Sequence, residues 1–135
     1  MVRGPTVKLL LDTHIFLWWI TNNSHLPPAV RKAIQQPSAV IYFSTASSWE
    51  ISIKTSLGNL ILPRSPEEYI PPQILQNGFI VLPMDLRHTL RAGNLPPIHR
   101  DPFDRMLVAQ AQIEDLTLVT TDKRLKDYKV KILRH

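Results

Sequence analysis

The sequence contains no cysteine, which removes disulfides, thiolate zinc sites and cysteine nucleophiles from consideration. Met1–Asp12 lacks the apolar core and small-residue cleavage site of a secretory signal. The longest apolar run near it, Ile15–Ile20, is far too short to span a bilayer. A soluble intracellular protein with no membrane partner is therefore expected. His14, His25, His88, His99 and His135 show no paired ligand spacing, so a zinc site is not expected. No glycine-rich loop accompanies the triplet His99-Arg100-Asp101, which makes its likeness to a kinase catalytic loop a coincidence. Internal repeats, low-complexity tracts and linkers are absent, and the 12 prolines punctuate helices and loops rather than clustering.

What is present suits one domain. A chain of 135 residues has room for one core and hardly for two, so residues 1–135 are expected to form a single domain, with 1–6 as a flexible N-terminus. Lysine and arginine outnumber acids by 16 to 11, for a formal charge of +5. That excess favours polyanionic partners, nucleic acid first among them, without locating a site.

Short β-rich runs alternate with helical patterns. Strands are expected at Val7–Leu11, Val40–Phe43, Phe79–Leu82, Thr117–Thr120 and Val130–Leu133. Helices are expected at Thr13–Thr21, from Pro27 or Pro28 to Gln36, at Ser47–Leu57, Leu86–Gly93, Pro102–Asp115 and Lys123–Tyr128. Another starts at Ser65-Pro66-Glu67-Glu68, which has capping-box spacing, and Pro71-Pro72 should kink or interrupt it. Strands separated by helices predict an α/β fold, a three-layer α/β/α sandwich around a mostly parallel sheet.

Four carboxylates fall at equivalent places in this alternation. Asp12 follows the first strand, Glu50 lies early in the helix after the second, Asp104 is in the first turn of the helix from Pro102, and Asp122 follows the strand Thr117–Thr120. In a parallel sheet the carboxyl ends of strands and the N-termini of helices share one edge, where ligands bind. Taken singly, each acid is explained by helix capping; Ser47-Ser48-Trp49-Glu50 has capping-box spacing, and Asp101 can cap the helix that holds Asp104. Taken together, carboxylates about 4 Å apart repel by roughly 4 kcal/mol at an effective dielectric of 20, so a converged cluster needs a cation, protonation or basic neighbours. Hard oxygen ligands suit Mg²⁺ or Mn²⁺, and a basic surface around such a centre suits phosphodiester hydrolysis.

The words around these acids carry a family likeness. Leu9-Leu10-Leu11-Asp12-Thr13-His14, Ser48-Trp49-Glu50-Ile51-Ser52-Ile53-Lys54, Asp101-Pro102-Phe103-Asp104-Arg105-Met106-Leu107-Val108-Ala109-Gln110-Ala111 and Leu118-Val119-Thr120-Thr121-Asp122 resemble, in order and spacing, the acidic motifs of VapC-type PIN-domain toxins. The resemblance runs from about Val7 to Leu133. It implies a three-layer fold, a divalent-metal-dependent endoribonuclease, a homodimer, and a cognate antitoxin that blocks the site. It carries Asp12, Glu50, Asp104 and Asp122 over as the acidic quartet, with Asp12 and Asp104 as first metal ligands, Asp122 as a further ligand or a holder of water, and Glu50 orienting or deprotonating the attacking water.

Around the quartet, Thr13, Lys54, Asp101 and Thr121 are candidates for support. Each has a plainer reading: a cap for Thr13, Asp101 and Thr121, a surface ion pair with Glu50 for Lys54. Arg100, Arg105, Lys123, Arg124 and Lys126 are candidate phosphate contacts or solvated surface charge. Phe16, Trp18 and Trp19 crowd one short helix; core packing accounts for part of this cluster, but adjacent tryptophans cannot both face the same way on a helix, so one is expected at a dimer or antitoxin contact. The competing functions are a non-catalytic RNA-binding or protein-interaction module and a DNA nuclease of the same architecture.

Overall fold

A computed structural model describes residues 6–133; residues 1–5 of the expected flexible N-terminus lie outside the described residues. The elements run β1 (Val7–Leu11), α1 (Thr13–Ile20), α2 (Pro28–Gln35), β2 (Ala39–Ser44), α3 (Thr45–Ser56), α4 (Pro66–Asn77), β3 (Ile80–Leu82), α5 (Leu86–Gly93), α6 (Pro102–Glu114) and β4 (Thr117–Val119), then a 3₁₀ turn Lys123–Asp127. No described helix is long and apolar enough to cross a membrane.

The strands form one parallel sheet in the order β3-β2-β1-β4. Side chains alternate across it, as period-two geometry requires. Leu9, Leu11, Ile41, Phe43 and Val119 face one cluster with Ile15, Phe16, Val30, Ile34 and Ile70. Leu10 and Leu118 face the other, with Ala92, Leu107, Val108, Ala111 and Leu125. The sheet is thus sandwiched between α1, α2 and α4 on one side and α5 and α6 on the other. The chain moves outward from β1 to β2 to β3 and then returns past them to β4. Parallel crossovers are right-handed, so reversing the direction of travel moves the crossover helices to the opposite face. The reversal occurs at β1, whose carboxyl end opens between β2 and β4; such a point in a parallel sheet is where ligands bind.

Several expected boundaries shift, each for a local reason. α3 opens at Thr45, because β2 runs into it with no loop and Ser44 is both last strand residue and N-cap, its Oγ accepting from Ala46 N at 3.0 Å. The capping box read at Ser47–Glu50 therefore does not form. α4 continues through Pro71 and Pro72; the carbonyls that lose an N–H partner belong to Glu67 and Glu68, both exposed, where water can serve. Lys123–Asp127 is a 3₁₀ turn rather than an α-helix. The expected last strand shrinks to a single parallel bridge between Ile132 and Leu118.

Candidate metal centre

Asp12 leaves β1 at the point where the strand order reverses. Its amide donates to Val119 O at 3.0 Å, tying it to β4, and its Oδ1 accepts from Ile15 N at 2.8 Å, capping α1. Burial pushes its carboxyl above the ordinary 3.8, against the lowering effect of hydrogen bonds from Thr120 and the Ile15 amide. Capping and site membership are compatible here, since the cap engages one oxygen of the two.

Glu50 reaches the same place from α3. It is 5% exposed, and its Oε1 accepts from Thr13 Oγ1 at 2.6 Å while its Oε2 accepts from Lys54 Nζ at 2.6 Å. Ser47 Oγ lies 2.9 Å from Thr13 Oγ1. So Thr13 is not the cap of α1, and Lys54, one turn on, neutralises a buried carboxylate rather than a surface one.

Asp104 comes from the first turn of α6, whose N-cap is Asp101: Asp101 Oδ1 accepts from Phe103 N at 2.8 Å and Asp104 N at 3.1 Å. The Asp104 carboxyl is pushed up to about 7, first by burial, then by the charges of Asp101 and Asp12, with His99 opposing. Asp122, after β4, behaves in the opposite way. Its Oδ1 accepts from Arg124 N at 3.0 Å and Arg124 Nε at 3.1 Å, its Oδ2 from Arg124 Nη2 at 2.9 Å, and these bonds hold it down at about 2.

The four acids line one cavity of about 370 Å³. Thr13, Lys54, Asp101, Thr121 and Arg124 line it too, as do His14 and Trp18. Like-charged groups raise one another's pKa when forced together; beyond burial, that effect from Asp101, Asp12 and Glu50 lifts Asp104. The donors are hard oxygens, the charge is unbalanced and the cavity sits at the sheet's reversal point, so the residues fit a divalent cation of the Mg²⁺ or Mn²⁺ kind.

His99 is the residue that sequence reasoning misses. It is 7% exposed, and its Nε2 stands 3.0 Å from Asp104 Oδ2 and 3.1 Å from Asp122 Oδ2. Spacing to other histidines does not reveal it, because its partners are acids, 5 and 23 residues onward. Its one signal in the sequence is its position at the end of the stiff Pro96-Pro97 loop that feeds α6.

The candidate phosphate contacts separate. Lys123 and Lys126 are exposed and line an adjoining hollow that shares Thr121 and Asp122 with the acidic cavity. Arg100 is exposed, and Arg124 is bound to Asp122. Arg105 is placed otherwise: its guanidinium donates to Pro96 O (3.0 Å), His99 O (3.2 Å), Ala92 O (2.9 Å), Leu95 O (2.9 Å) and Tyr128 Oη (3.3 Å). It holds the loop that carries His99, which corrects its reading as a phosphate contact. In α1, Phe16 is buried against Phe43, ring centroids 4.3 Å apart, while half-buried Trp19 donates from Nε1 to Asn77 Oδ1 at 2.8 Å. Trp18 lines the cavity beside His14, and both tryptophans pack, half-buried, against the first core cluster.

Among the described residues a second acid–histidine group, Asp85, His88 and Glu114, lies apart from the cavity. Its histidine is engaged on both ring nitrogens, Nδ1 accepting from Asp85 N at 3.0 Å and Nε2 lying 2.8 Å from Glu114 Oε2. It pins the start of α5 to the end of α6.

The family model of the PIN domain matches residues 9–131. No curated protein matches the chain in sequence. Among solved structures, the chain is similar to one from VapBC2 of Rickettsia felis bound to a promoter DNA fragment, at 17% identity and a TM-score of 0.66, covering 95% of this chain and 98% of that one. It is similar to one from DNA-bound VapBC of Salmonella typhimurium at 18% identity and 0.66, covering 95% and 97%. VapBC-1 of nontypeable Haemophilus influenzae gives 19% and 0.61, covering 94% and 97%.

Proposed function

Since the chain belongs to the PIN domain family, we propose that it is a divalent-metal-dependent endoribonuclease, acting in the cytoplasm as the toxin of a toxin–antitoxin pair. One observation carries the catalytic part of this reading: four carboxylates from four separate segments share one cavity. The solved neighbours, chains of VapBC complexes with the same fold, support an antitoxin as partner, and a homodimer belongs to the same reading.

Asp12 and Asp104 would hold the cation directly, each keeping an oxygen that is not committed to a helix cap. Bound there, Mg²⁺ or Mn²⁺ would polarise a phosphoryl oxygen and acidify water. Glu50, held by Thr13 and Lys54, would orient the attacking water and take its proton. Asp122 has four donors on its two oxygens, so it serves best as the anchor of Arg124 and His99. RNA phosphates would follow the basic side: Arg124 at the cavity, Lys123 and Lys126 along the adjoining hollow, Thr121 between them, and Arg100 near the mouth.

The test compares wild type with Asp12→Asn and Asp104→Asn on mixed RNA, in Mg²⁺, in Mn²⁺ and in EDTA. Cleavage that needs the cation and drops by at least about 100-fold in both variants, with folding intact, is expected, since loss of one such group typically costs that much. Equal cleavage by all three proteins would leave a binding module. Cleavage of DNA in preference to RNA would keep the centre and change the substrate.

A further inference from the structure

His99 sits among the acids, and nothing in the proposed chemistry yet uses it. A histidine beside carboxylates can serve a cation in two ways: as a ligand through a bare nitrogen, or as a donor that holds the ligating carboxylates. The two differ in where the ring carries its proton. Asp101 N donates to His99 Nδ1 at 3.2 Å, so Nδ1 presents a lone pair and the ring proton belongs on Nε2. Nε2 in turn faces only acceptors, Asp104 Oδ2 at 3.0 Å and Asp122 Oδ2 at 3.1 Å. A protonated Nε2 has no lone pair for a metal, but it satisfies both oxygens with one shared N–H.

The ring is held from behind as firmly as from the front. His99 N donates to Tyr128 Oη at 3.0 Å, and His99 O accepts from Arg105 Nη1 at 3.2 Å. Tyr128 Oη itself donates to Pro96 O at 3.1 Å. Neither Tyr128 nor Arg105 lines the cavity, yet both fix the residue that does the bridging.

We infer that His99 is a positioning residue of the acidic centre, donating from Nε2 to Asp104 and Asp122 and so setting the carboxylate geometry that a divalent cation meets. The bridge ties α6 to the segment after β4, and it occupies one oxygen of Asp104 while leaving the other for the ion. This inference rests on the reading of the cavity as a cation site.

The experiment is Mn²⁺ binding to the full chain, read as free Mn²⁺ by electron paramagnetic resonance, for wild type, Asp12→Asn, His99→Ala and His99→Gln. Thermal unfolding of each variant accompanies it. Asp12→Asn should abolish binding. His99→Ala should weaken it by about 10–100-fold, the usual effect of removing a hydrogen-bond partner of a metal-ligating group. His99→Gln should restore most of that loss, because its amide nitrogen falls near the place of Nε2. Pulsed spectra of wild type with Mn²⁺ should show no directly bound nitrogen. Wild-type affinity in His99→Ala, equal weakness in the Ala and Gln variants, or a nitrogen coupling in wild type would each overturn the inference. Failure of wild type to bind Mn²⁺, or undiminished binding by Asp12→Asn, would instead overturn the cation reading and the inference with it. Should His99→Ala fail to fold, the Gln variant and the wild-type spectrum still decide.

Discussion

Asp104 carries a cost that the folded chain bears whenever no cation is present. Its folded pKa of about 7 lies above the ordinary 3.8. Between those values the folded chain keeps a proton that the unfolded chain has released. The group's contribution is therefore whole below about pH 4 and is lost as the pH rises through 7. In EDTA, Asp104→Asn should melt about 3–5 °C above wild type at pH 8, roughly the shift that 1 kcal/mol gives a chain of this size, and should show little difference at pH 4. A wild-type advantage at pH 8 would contradict the repulsion argument. Cation affinity should carry the same signature, falling about tenfold per unit below pH 7 as protons compete for the site. Arg105 gives the other prediction at this scale. Arg105→Ala removes five hydrogen bonds made by a charged donor and should cost about 2–3 kcal/mol in urea unfolding; a simple phosphate contact would cost almost nothing. Asp12, Asp104 and Asp122 are legible in the sequence because each follows a strand or opens a helix, whereas Glu50 lies in the second turn of α3 and is picked out by the words around it. His99 and the inward turn of Arg105 are not legible, because His99 meets Asp122 only once β4 has returned beside β1, and Arg105 turns onto backbone carbonyls that no residue spacing singles out.

At the scale of elements, ends are harder to read than middles. The sequence pattern starts α3 at Ser47 and the structure at Thr45, because a strand that runs straight into a helix leaves no turn residue to mark the change. The double proline in α4 reads as a break because proline removes a donor, but the bereaved carbonyls lie on the wet side. The other end of α4 follows the usual rule. Gly78 caps it at φ +66°, and Phe79 N donates back to Ile74 O at 3.0 Å. Gly78→Ala has open space for its methyl group, so its cost is conformational alone. About 1 kcal/mol is expected in denaturant titration, and no loss would show that the helix end has relaxed. Phe79, buried at 8% exposure against Phe16, ties this cap to the first core cluster.

The whole molecule combines a basic surface with an acidic hollow. The formal charge of +5 can attract a polyanion, while the carboxylates repel it unless a cation intervenes. Binding of single-stranded RNA by the Asp12→Asn chain should weaken steeply with salt. Replacing Lys123 and Lys126 by alanine should flatten the log–log slope by about 0.7 for each phosphate that is no longer neutralised. An unchanged slope would take both lysines off the path. At this scale the alternation of strands with helices announces a parallel sheet, but not its order: that β4 lies beside β1 depends on the return of the chain past β2 and β3, which no local pattern encodes.

That order divides the centre evenly between two halves of the chain. Asp12 and Glu50 lie before the exposed segment 63–65, Asp104 and Asp122 after it. A chain cut there would yield two pieces, each with half of the carboxylates and neither with the complete cluster. They could rebuild the cluster only by pairing β1 with β4 and β2 with β3. If the cluster holds a divalent cation as proposed, the ion would then act as a fastener between fragments, drawing them together by mass action in proportion to its concentration over its dissociation constant. By the same placement, a chain emerging from the ribosome would lack two of its four clustered carboxylates until its last quarter has been made.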